Sequence, residues 1–145
     1  MFLIIASSVA ALAAAATPVH SAQVAHGATA YTANYHAQSK VTVREIEPRF
    51  ANRNAVPVCR WQAELVVNRA VEAQGRAVPA FGKSVHRFAP MSGTYAGTCA
   101  GARSEIASEI ARYSRAKASE ATAIAQQDRA VLVSEMESVH AVQGG

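Results

Sequence analysis

From Cys59 onward the chain alternates. Cys59, Trp61, Ala63, Leu65 and Val67 fall on one side and Arg60, Gln62, Glu64, Val66 and Asn68 on the other, the period of two that marks a half-buried strand. Trp61, Leu65 and Asn68 would also share one face of a helix over 61–73, but the clean alternation and the β-branched pair Val66-Val67 favour the strand. Shorter runs of the same kind precede it. Thr29–Ala37 reads as a first strand with Tyr31 and Tyr35 on one face, and Lys40–Glu47 as a second, with Val41 and Val43 opposed to Thr42 and Arg44; the two are expected to pair as a hairpin. Pro48 to Pro57, with Asn52 and Asn54, has turn composition. Gly75 to Gly82 interrupts the sheet, Ser84–Phe88 adds a further strand, and Ala89 to Gly101, with Pro90, Gly93, Gly97 and Gly101, reads as loop.

The period changes at Ala102. Up to Ala141 there is neither Gly nor Pro, and Ala, Glu, Arg, Gln and Ser dominate, a composition that favours helix. Ser104 followed by Glu105 suits its start, with a carboxylate near the positive end of the dipole. Ile106, Ile110 and Tyr113 form an apolar stripe; no large apolar side chain follows until Ile124, and Leu132, Met136 and Val139 then make a distal patch. Forty residues of helix reach about 60 Å, so the helix is expected to overhang, to bend or to find a partner. Together these elements predict an α+β fold: a small antiparallel sheet of three to four strands with one long C-terminal α-helix packed across it.

The opening of the chain has a different character. Met1 to Ala16 is small or apolar, and no charged side chain occurs before Lys40. A run of that length suits a secretory leader and is shorter than the roughly 20 residues of a bilayer span. Val19-His20-Ser21 offers small residues at the last and third-last positions before a cut, which places a cleaved leader at 1–22, a disulfide-linked β-rich region at 23–101, and the helix with a short tail at 102–145 of the same domain. The n-region departs from the usual pattern in having no Lys or Arg. The protein is thus expected to be exported, periplasmic or extracellular, and not membrane-spanning.

Export gives the only two cysteines their meaning: Cys59 and Cys99 are expected to form one disulfide. Closing a loop of about 40 residues contributes roughly 4 kcal/mol by chain entropy. That matters because Leu, Ile, Val and Phe are sparse. Charge is also uneven. The segment 23–101 carries nine basic against four acidic residues, and 102–145 five against six, within a net charge of +4. Arg44, Arg49, Arg53 and Arg60 are the candidate contact surface for an anionic partner, whether envelope lipid, polysaccharide or an acidic protein.

Catalytic constellations are not found. Gly82-Lys83-Ser84-Val85-His86 begins like a nucleophile elbow, without its closing Gly. His26, His36, His86 and His140 lack the spacing of a metal helix, and Glu45 with Glu47 or Glu135 with Glu137 look solvated rather than poised for acid-base work. No enzyme activity, metal, cofactor or nucleic-acid target is expected. The expectation is a non-enzymatic binding protein, monomeric, with a helix-mediated dimer acting as a structural envelope protein as the alternative.

Overall fold

A computed structural model describes residues 16–47 and 56–143. It contains one antiparallel sheet of six strands, β1 Thr17–His26, β2 Thr29–Ile46, β3 Val58–Ala73, β4 Arg76–Ala77, β5 Lys83–Arg87 and β6 Met91–Ala96, and one helix, α1 Arg103–Gln143. β3 is central. β2 runs along its whole length on one side, while β6, β5 and β4 succeed one another along the other. The alternation noted from Cys59 to Val67 continues to Val71, so Cys59, Trp61, Ala63, Leu65, Val67, Arg69 and Val71 are all buried on the face beneath the helix.

Three expectations are corrected. The sheet has six strands rather than three or four. Thr29–Ala37 and Lys40–Glu47 are not a hairpin but one continuous strand, β2, of 18 residues. The stretch read as loop after Ala89 contains β6, which pairs Val58 through Ala63. Thr17 to Ala22, which the sequence reading places at the end of the leader, are the first six residues of β1 and face Ala33 through Ala37. The region predicted as turn at 48–57 lies outside the described residues up to 55, as does the leader up to residue 15.

Strand β2 is what lets the helix stay on the sheet. At about 3.3 Å per residue its 18 residues extend about 59 Å, and 41 helical residues rise about 61 Å. The two lengths match, so no overhang is needed. Ile106 is buried near the start of the helix, and Ala121, Ala125, Asp128, Leu132 and Met136 recur every three or four residues as a buried stripe along its C-terminal half. Leu132 and Met136, two of the three residues of the sequence's distal patch, join Val24, Tyr35 and Val67 in the larger of two core clusters. Val139, the third, remains exposed.

The disulfide forms as expected, Cys59 to Cys99 with Cα atoms 4.9 Å apart. It lies in the second cluster, with Trp61, Ala63, Ala102 and Ile106, and so fastens the start of β3 to the turn that launches the helix. Glu45, facing Cys59 across the strands, is not a free carboxylate: it accepts a hydrogen bond of 2.8 Å from the Cys99 N–H. The β3–β4 turn places Gln74 and Gly75 at φ of 55° and 74°, the left-handed pair that suits a two-residue hairpin.

Trp61 faces Gly93 across β3 and β6, and the indole fills the space above the glycine. A Cβ added at Gly93 would lie 2.8 Å from Trp61 Nε1 and 3.0 Å from a ring carbon. Trp61 is 3 % exposed and has no room to retreat. Gly93→Val should therefore destabilise the fold by about 1–3 kcal/mol, the usual range for overpacking, read as a lowered urea midpoint with unchanged slope. An unchanged midpoint would refute the packing.

Candidate functional site

Two features interrupt the apolar packing between sheet and helix, and they lie at different places along the helix. Near its C-terminal half, Arg69 and Asp128 face each other between sheet and helix. Arg69 occupies the inward phase of β3 and its side chain is fully buried; Asp128 sits in the buried stripe of α1 at 5 % exposure. Arg69 Nη1 donates to Asp128 Oδ2 at 2.6 Å and Nε donates to the Phe81 carbonyl at 2.8 Å. The Tyr35 hydroxyl donates to the same Asp128 oxygen at 2.8 Å. Glu135, two helical turns further on, accepts from Arg69 Nη2 and from Lys83 Nζ.

The electrostatics follow from that geometry. Burial pushes the Tyr35 phenol far above its ordinary value, reinforced by the hydrogen bond to Asp128 and its charge, so it remains a donor. Burial works against the charge on Arg69, but Asp128 and Glu135 outweigh it and raise its affinity for the proton. For Glu135, burial is likewise opposed and overcome, here by Lys83 and Arg69, and its carboxyl titrates below its ordinary range. Each of the three guanidinium nitrogens of Arg69 has an acceptor. The cluster is a structural lock between β2, β3 and α1, and removing one partner of such a buried pair is costly because the other charge is stranded.

The second feature is a cavity of about 570 Å³ under the N-terminal half of the helix. Its cause is the absence of large apolar side chains between Tyr113 and Ile124. Ala111, Ala118 and Ala121 form the roof where larger side chains would have closed the gap, and Ala37, Ser39, Val41 and Leu65 form the floor. Thr17, Pro18 and Val19 of β1 make one wall. Beyond them the wall stops: β1 pairs β2 only as far as Ala37, so among the described residues Gln38 to Ile46 has a strand neighbour on the β3 side alone. The lining is mostly apolar, with hydroxyls from Ser39, Ser114 and Thr122, and Arg115 is its one ionisable group among the described residues. A volume of this size is within the roughly 300–1,000 Å³ of small-molecule sites.

The sequence-predicted arginine surface is brought together in part. Arg44 and Arg60 stand directly opposite each other across β2 and β3, both exposed on the face away from the helix. With Thr42, Gln62, Ser92 and Thr94 they line a shallow polar groove. Arg49 and Arg53 lie outside the described residues. Ser84 is on an exposed strand and donates to Asn68 Oδ1 at 2.9 Å, while the His86 ring stacks edge-on against Phe88. His26 and His140 meet with ring centroids 5.1 Å apart, joining the first hairpin to the far end of the helix.

No protein-family model, curated protein or solved structure matches the chain. Among the described residues, no helix is long and apolar enough to cross a membrane.

The lowered titration of Glu135 has a sign that can be checked. A carboxyl held below its ordinary value of 4.5 contributes stability above that value and loses it as the pH falls through the lowered folded-state value. The melting temperature of Glu135→Gln should lie below that of the parent at neutral pH, by a constant gap down to about pH 5, and the gap should close under more acid conditions. A gap independent of pH would remove Glu135 from the ion cluster.

Proposed function

We propose that this is an exported, non-catalytic binding protein whose ligand is an amphiphile with an apolar chain and an anionic end, such as a long-chain carboxylate. The observation that carries this reading is the cavity between α1 and the sheet, apolar in its walls and with Arg115 as its one charged lining residue among those described. An apolar chain in that space removes surface from water on both sides, at roughly 25 cal/mol per Å², while a guanidinium offers a carboxylate two parallel donors. The disulfide supports the export half of the reading, since such bonds persist in oxidising compartments.

Filling the cavity separates ligand binding from folding. Ala118→Phe should abolish displacement of a fluorescent long-chain fatty acid while keeping the melting temperature within a few degrees of the parent, and Arg115→Gln should weaken it about tenfold, one charge-assisted pair being worth about 1.5–3 kcal/mol. Equal binding by parent and both variants would remove the cavity as the site.

A second reading keeps the arginine surface. Arg44 facing Arg60 is a like-charged cross-strand pair, which destabilises a sheet unless an anion is shared between them. An anionic envelope lipid or polysaccharide, or an acidic protein, would supply it. Arg44→Ala with Arg60→Ala should abolish co-flotation with acidic lipid vesicles and retention on acidic polysaccharide at low salt; retention of both by the double variant would end this reading.

A further inference from the structure

We propose that the leader is cut between Ala16 and Thr17, five residues ahead of the cut after Ser21 that the small residues at Val19 and Ser21 suggest. The argument begins with β1. A cut after Ser21 would discard Thr17, Pro18, His20 and Ser21, the partners of Ala37, His36, Tyr35 and Asn34, and with them Val19, which packs against the main core cluster. The β2 edge would be stripped beside Tyr35, a side chain with no measurable exposure whose hydroxyl belongs to the buried ion cluster. The wall of the cavity formed by Thr17, Pro18 and Val19 would go as well.

A leader peptidase reads the extended chain and not the fold, so the sequence must also offer it a site ahead of the strand. It does: Ala14-Ala15-Ala16 places small residues at the last and third-last positions immediately before Thr17, the A-x-A pattern of such cuts. Water adds across the Ala16–Thr17 amide, leaving a carboxylate on the released leader and a free amine on Thr17. That amine is largely protonated near neutral pH, with an ordinary pKa of about 7.7–8.0. Thr17 lines the same cavity as Arg115, so the cut that frees the strand also gives the cavity a second cation. The proposal rests on export and is independent of what the cavity binds.

The test is the intact mass of the oxidised protein recovered from the envelope or medium of cells expressing the full chain, with two variants. The parent should begin at Thr17. Ser21→Val, which spoils the later site on an exposed strand position, should still begin at Thr17, and Ala16→Leu should no longer do so. A parent beginning at Ala22 or Gln23, or Ser21→Val accumulating uncut, would overturn the proposal. Recovery of the parent with its leader intact would overturn it together with export, whereas loss of fatty-acid binding by a chain that does begin at Thr17 would bear on the ligand alone.

Discussion

The structure depends on a match of lengths. A sheet with strands of 18 and 16 residues presents one continuous apolar face, and in a chain this poor in large aliphatic residues a single element must cover all of it. A 41-residue helix does so because 1.5 Å per helical residue and about 3.3 Å per strand residue bring both to nearly the same extent. Each end of that long contact is then fixed by a different means. At the start of the helix the Cys59–Cys99 bridge sits inside a small apolar cluster; toward its end the Arg69–Asp128 pair does the holding. Between the two the helix carries mostly small side chains, and the contact opens into the cavity.

The polar lock and the cavity are complementary in what they require. Arg69 and Asp128 contribute little net stability relative to well-packed apolar residues, since desolvation offsets most of their attraction. What they supply is position: Asp128 can receive Tyr35 and Arg69 only when the helix is in one register on the sheet. A purely apolar contact between an alanine-rich helix and a sheet of alanine and valine would tolerate sliding by a turn, and a slid helix would not leave the same space over Ser39 and Val41.

Much of this was legible in the residues, and the failures have physical causes. The alternation through β3 and the glycine-free helix were both plain. The same alternation, carried two more steps, reaches Arg69, and the buried stripe of the helix reaches Asp128 between Ala125 and Leu132; a charge in the inward phase of a strand and another in the inward stripe of a helix are each other's natural partner. β2 looked like two strands because Gln38-Ser39-Lys40 breaks the apolar phase, and it breaks it at Ser39, on the floor of the cavity, where there is no core to pack. β6 was hidden by Gly93, whose missing side chain is the space taken by Trp61. β1 was hidden by the leader pattern that runs into it. The cavity left half a mark: the gap in large apolar side chains between Tyr113 and Ile124 was visible, but nothing along the chain placed Ser39 of β2 beneath it.

The sheet's two borders are unlike, and the difference bears on how the protein behaves when crowded. Along β3 the border is broken into pieces of two, five and six residues, each too short to template another chain. Along β2 the unpaired stretch is longer and straight, the kind of border that invites fibrillar stacking, but Lys40 and Arg44 stand exposed on it. Two copies meeting there head to tail would bring cations together, so the stretch of β2 beyond β1 is guarded by charge.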